Sequence, residues 1–199
     1  MPYLVEPGTV LEFETETMTI NATPAQTGDR YRVRLVATPG GGPGVKGFGP
    51  HIHDGTTEAF TVVSGIMQYR RGRTLSEAEP GERVEILPGE VHGFKNIGSE
   101  ELIVDVEIVF GPDGPTPESD PVPVGVTIDR MLKEGKVSRL TGYPPILQMA
   151  VVEYATPRAM REAGVPGLVM PALAWLGRRM GYKPDPFAPG GGSPPSSLF

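Results

Sequence analysis

Along residues 10–20 the chain alternates, with Leu11, Phe13 and Thr15 falling on one side and Val10, Glu12, Glu14 and Glu16 on the other. A period of two predicts a half-exposed strand or a pair of strands. Residues 21–29 read as loop, and 31–37 as the next strand. Residues 58–64 and 66–71 read as a hairpin across Ser64-Gly65, with Phe60, Val62, Met67 and Tyr69 facing inward. Residues 81–96 read as strand, tight turn at Pro88-Gly89, and strand, so that His92, Phe94 and Asn96 share a face. Residues 102–110 put Leu102, Val104, Val106, Ile108 and Phe110 on one face. Asp105 and Glu107 fall on the other, expected outside because buried unpaired carboxylates are costly; Glu107 is the better placed of the two to support a catalytic centre.

Beyond residue 110 the pattern changes. The prolines of 111–123 predict a linker without a helix. A short helix is expected over 127–136, with Thr127 as N-cap and Gly135 near its end. Two apolar-periodic segments follow at 146–154 and 156–163, the second with Pro157 in a first helical turn. Residues 171–180 carry Leu173, Trp175, Leu176 and Met180 beside Arg178 and Arg179. Residues 184–199 are disordered by composition. The expected division is therefore an N-terminal arm (1–29), a β core (30–112), a Pro-rich linker (113–125), a helical extension (126–183) and a tail (184–199). The apolar faces of the extension must bury against the core, over its mouth as a lid, or against a second subunit.

Composition agrees with a β core. Gly 27 and Pro 23 of 199 residues suit a turn-rich β protein rather than a helical bundle, and the length suits one domain with an appendage. The net charge of −6, without a basic stripe, argues against nucleic acid as a partner. With no cysteine there are no disulfides, thiolate ligands or thiol nucleophile. No signal peptide is visible, and the longest apolar run, 167–177, is shorter than the ~20 residues of a membrane span. The expectation is a soluble cytoplasmic protein that does not associate with membranes.

The chemistry concentrates in 51–58. His51 and His53 point the same way from an extended strand, and Glu58 can return to the same space after the turn at Asp54-Gly55. His92 is the only other histidine. Imidazoles and a carboxylate brought together suit a divalent first-row transition metal: iron, manganese, nickel, copper or zinc. The glycine-rich approach at 39–50 opens into a strand and lacks the Lys-Ser/Thr pair of a phosphate-binding loop, so it reads as a loop at the mouth of the core.

These residues resemble the two motifs of the cupin family. The first, HxH, four residues, Glu, six residues, Gly, is matched by His51, His53, Glu58 and Gly65. The second, G-x5-P-x-G-x2-H-x3-N, is matched by Gly81, Gly89, His92 and Asn96. The departures are Leu87 in the proline position and Val45 where a glycine usually precedes the first histidine. The resemblance covers about residues 30–112. It implies a mainly β fold, a single double-stranded β-helix (jelly-roll) barrel, here with a short α-helical C-terminal extension. It implies His51, His53, Glu58 and His92 as metal ligands, Glu58 doubling as a candidate acid or base, in a pocket lined by Phe60, Val62, Met67, Tyr69 and Phe94. It also implies a homodimer and a small-molecule substrate. Similar three-His, one-Glu sites serve dioxygenases of small oxygenated aromatics and diketones, which is the leading expectation. A redox-neutral isomerase or lyase and a non-catalytic ligand-binding cupin are the alternatives.

Overall fold

Two antiparallel sheets face one another across the apolar positions of their strands. The computed structural model describes residues 5–42, 50–116, 118–137, 144–163 and 169–185. One sheet is formed by β1 (Val10–Glu12), β2 (Glu16–Ala22), β3 (Arg30–Ala37), β5 (Thr56–Ser64), β8 (Arg83–Ile86) and β10 (Leu102–Phe110), in the order β1-β2-β3-β10-β5-β8. The other holds β4 (His51–Ile52), β6 (Met67–Arg71), β7 (Thr74–Ala78), β9 (His92–Asn96) and β11 (Arg161–Glu162), in the order β11-β4-β9-β6-β7. The architecture is the expected mainly β jelly roll with a few helices.

Strand β10 sits between β3 and β5 and buries the predicted face, from Leu102 to Phe110, in the main core. Asp105 and Glu107 lie outside. Arg34 grips Asp105 at 2.8 Å, and Glu107 sits among Arg30, Arg32 and Arg83, so neither carboxylate supports the centre described below.

Two expected hairpins are replaced by sheet crossings. β5 pairs with β10 and β8, whereas β6 pairs with β7 and β9 in the opposite sheet. Alternation fixes which face of a strand is buried but not its partner. At Gly65 the chain passes between the sheets with φ +83°, and a Cβ there would lie 2.8 Å from Leu102 Cα. The 81–96 segment splits likewise between β8 and β9 around the Leu87-Pro88-Gly89 turn. Between these two crossings a hairpin joins β6 to β7 across Gly72-Arg73.

The helices also depart from expectation in part. The 21–29 loop contains α1 (Pro24–Thr27), a single turn closed by a reciprocal capping box between Thr23 and Gln26. Helix α2 (Val122–Lys133) starts five residues before Thr127, whose hydroxyl donates to Pro123 O at 2.9 Å inside the helix. Pro123 falls in the first turn, where its missing N–H costs nothing, and Asp120 takes the Val122 N–H at 3.0 Å. Residues 156–163 form a turn and then β11 rather than a helix, because β4 offers them a strand edge. α3 (Ile146–Ala155) and α4 (Val169–Arg179) meet the sequence expectation.

The extension docks on the β core. Asp129 of α2 accepts the Glu12 N–H at 2.7 Å. Val124 and Ile128 pack with Met149, Val152 and Met160, with Phe13 of the N-terminal hairpin against them. Of the apolar residues foreseen over 171–180, Leu173 and Met180 pack beside α3, while Trp175 and Leu176 stay exposed. No helix among the described residues is long and apolar enough to cross a membrane. The glycine-rich approach at 43–49 and the tail at 186–199 lie outside the described residues.

Candidate metal centre

His51 opens the short β4, and its Cα partner across the sheet is His92 on β9. His53 follows β4 by one residue. Glu58 comes from β5 in the opposite sheet, so the four side chains meet between the sheets. All four are buried, and one donor atom from each lies within 4.8 Å of the others. The ring of His51 is 4.4 Å from that of His92 and 4.9 Å from that of His53.

Glu58 bridges two imidazoles, its Oε2 lying 3.0 Å from His92 Nε2 and its Oε1 3.3 Å from His53 Nε2. The far sides of those rings are tied to backbone carbonyls, which can only accept. His92 Nδ1–H therefore donates to Glu90 O at 2.9 Å, and His53 Nδ1–H donates to Ala159 O. Anchoring one ring nitrogen to a carbonyl fixes the tautomer and turns the other nitrogen's lone pair toward a metal. The donor set fits: ligands at about 2.1 Å stand ~4.2 Å apart across an ion, close to the observed spread. The cluster is therefore able to hold a metal ion.

The electrostatics suit a cation. Burial acts to raise the Glu58 carboxyl, but His53, His92 and His51 outweigh it and hold it down to about 2. Burial pushes His53 below the usual histidine range. Burial acts to lower His92, but the Glu58 carboxylate beside its Nε2 favours the protonated ring and raises it on balance, so a metal ion would displace that proton. The site thus keeps one fixed anion facing two oriented nitrogens.

The remaining motif residues are structural. Gly89, with φ +84°, makes the turn from which its N–H donates to His53 O at 2.9 Å. Asn96 is fully buried and holds Ala37 O and Glu100 O through Nδ2. With Leu87 in the usual proline position the turn still closes, since Leu87 N–H donates to Glu90 at 2.8 Å.

A cavity of about 80 Å³ opens beside the cluster and is walled mainly by apolar side chains. His51, His53, Glu58 and His92 all contribute to its wall, as do Phe60 and Phe94 from the expected pocket. The other three expected pocket residues are not in the wall. Val62 and Met67 lie in the closed core, and Tyr69 is half-buried and borders a separate shallow cleft near Arg71. They share strand faces with the pocket residues but sit at other points along the strands. The wall also includes Leu11, Phe13, Glu16 and Met18 from the N-terminal hairpin, Pro121, Val122 and Gly125 at the start of α2, and Met160. Their apolar periodicity was the available signal, but it does not say which surface they cover.

Residues 41–109 match the family model described as the cupin domain. That segment is a cupin domain. No curated protein is significantly similar in sequence. Among solved structures, this chain resembles a predicted oxalate decarboxylase from Thermotoga maritima (20% identity, TM-score 0.44, 48% of this chain and 81% of that one). It also resembles an uncharacterized conserved protein with a double-stranded β-helix domain from Klebsiella pneumoniae (25%, 0.43, 52% and 84%). A third is KdgF from Halomonas sp. (20%, 0.42, 53% and 89%).

Proposed function

We propose that His51, His53, Glu58 and His92 hold one divalent first-row transition ion, and that this cupin is a dioxygenase acting on a small oxygenated aromatic or diketone. The observation that carries the reading is the convergence of four buried donor atoms within 4.8 Å in the wall of an apolar cavity. An ion held by these four residues would supply Lewis acidity and a template for a chelating substrate or for substrate and dioxygen.

The chain supplies the rest. Glu90 O and Ala159 O hold two imidazoles in the ligating tautomer. Glu58, whose carboxyl the three histidines hold down against burial, supplies the anionic ligand. Phe60, Phe94, Met18 and Leu35 wall the cavity and limit water around a bound ligand.

The test is elemental analysis of the purified protein beside His92→Ala, followed by oxygen-uptake assays on catechols and β-diketones. Near-stoichiometric iron, manganese, nickel or copper, lost in the variant, together with substrate-dependent oxygen uptake, is the expected result. Turnover that persists without oxygen, or with zinc as the working ion, moves the assignment to a redox-neutral isomerase or lyase. A protein that refuses every added metal overturns the reading.

A further inference from the structure

Glu16 lies where the N-terminal alternation does not put it. Continued through residues 10–20, that alternation keeps Glu16 with Glu12 and Glu14 on a solvent face. The chain instead turns at 13–15, with Phe13 N–H donating to Glu16 O at 2.9 Å, and β2 resumes in the opposite phase. Glu16, Met18 and Ile20 then face inward, and Glu16 is only 4% exposed in the cavity that also meets the histidine cluster.

Its surroundings leave it able to bind. The Thr15 hydroxyl donates to Glu16 Oε2 at 2.5 Å, and Gly42 N–H faces the same carboxyl. Among the described residues no cation pairs with it. Burial pushes its carboxyl above the usual range while Thr15 and Gly42 favour the ionised form; a carboxylate offers about four acceptor positions, so two neighbours do not exhaust it. With a volume of about 80 Å³, the cavity holds several waters or one small ligand, and a ligand filling it meets Glu16 and the cluster together.

We propose that Glu16 is the specificity-determining residue of this cavity: its carboxylate accepts a hydrogen bond from a hydroxyl of the bound ligand and disfavours ligands that bring a second carboxylate. Like charges in a dry site repel strongly, and an unmatched acceptor rejects a ligand that cannot donate to it. The ligand class is therefore neutral and hydroxyl- or enol-bearing rather than a dicarboxylate. This rests on the metal-centre reading above, because the ligand is taken to reach Glu16 from the metal.

The test is calorimetric titration of the zinc-loaded protein, under anaerobic conditions, with catechol and with oxalate. Glu16→Gln removes the charge and keeps the shape, and is expected to bind oxalate about tenfold more tightly than wild type. Glu16→Leu removes the acceptor and is expected to bind catechol about tenfold more weakly, the scale of one hydrogen bond to a charged group. Zinc content should be equal in all three proteins. A Glu16 that only braces the Thr15 turn predicts lower thermal stability with both ligand affinities unchanged, and that result overturns the proposal. Should Glu16→Leu not fold, the oxalate result with Glu16→Gln decides alone. Failure of wild type to retain zinc or any other divalent first-row ion overturns the metal-centre reading and this proposal with it; retained zinc without binding of either ligand, or with catechol binding that does not respond to Glu16, overturns this proposal only.

Discussion

His53 donates its Nδ1 proton to the carbonyl oxygen of Ala159, 106 residues further along the chain. The C-terminal extension thus reaches into the candidate metal centre and orients one of its ligands. Three further contacts hold it there: Asp54 and Gly55 N–H donate to Arg158 O at 3.1 and 2.9 Å, and Arg161 Nε donates to Asp54 at 2.7 Å. β11 then pairs with β4, the strand of His51.

A side chain at Gly55 should loosen that contact. A Cβ there would lie 2.6 Å from Ser119 Cβ and 3.2 Å from Arg158 O, so Gly55→Val must push the strap away from His53. Loss of a group that orients a ligand typically costs ten- to a hundredfold in metal affinity. Zinc affinity measured by chelator competition is expected to fall by that factor, while Arg34→Ala at the outer ion pair leaves it unchanged. Equal affinities in Gly55→Val and wild type would show that the strap does not orient His53.

Glu153 makes stability depend on pH. It is buried on α3, its Oε1 has no hydrogen-bond partner among the described residues, and burial together with Glu162 raises its carboxyl to about 7. A carboxyl raised on folding is protonated in the native state over a range where the unfolded chain has already released its proton. Stability therefore falls as pH rises from about 4.5 to 7, by a total on the order of 3 kcal/mol, and stays low above. Glu153→Gln should match wild type near pH 4 and melt higher at pH 8. Parallel melting curves for the two proteins across that range would contradict this.

Gly177 sets how closely α3 and α4 approach. A Cβ at that position would lie 2.7 Å from Leu147 O and 2.8 Å from Val151 Cγ2, and backbone cannot move aside cheaply. Gly177→Ala is expected to lose about 1–3 kcal/mol in denaturant unfolding, as overpacked sites do. Unchanged stability would mean that the helix pair separates freely.

What was legible in the sequence follows from what alternation encodes. It gives the face of a residue, so His51, His53, Glu58 and His92 could be brought to one place by spacing, and Phe94 and Asn96 set beside His92. It does not give the partner strand, so β5–β6 and β8–β9 looked like hairpins although each pair divides between sheets. Nor does it survive a turn, so Glu16 was assigned to the wrong face once residues 13–15 reversed the chain. Depth along a strand is also silent, which is why Val62 and Met67 lie in the closed core while Phe60 lines the cavity. The contribution of Ala159 comes from a backbone carbonyl and has no side-chain signature. Prolines 121 and 123 read as a linker because their tolerance in a first helical turn depends on where the helix starts.

Gly125 separates stability from binding in one position. It lies within α2 and in the cavity wall, its φ is not in the left-handed region, and a Cβ there meets only Leu11 Cδ1 at an ordinary 3.7 Å. Glycine inside a helix costs about 0.5–1 kcal/mol relative to alanine through the entropy of the unfolded chain. Gly125→Ala is therefore expected to stabilise the protein by roughly that amount. Gly125→Phe adds a ring on the cavity side of the helix, and should abolish catechol binding by the zinc-loaded protein while zinc stoichiometry stays at the wild-type value. Retained binding in Gly125→Phe would place the ligand elsewhere, and lost zinc would show that α2 supports the cluster itself rather than only closing the space beside it.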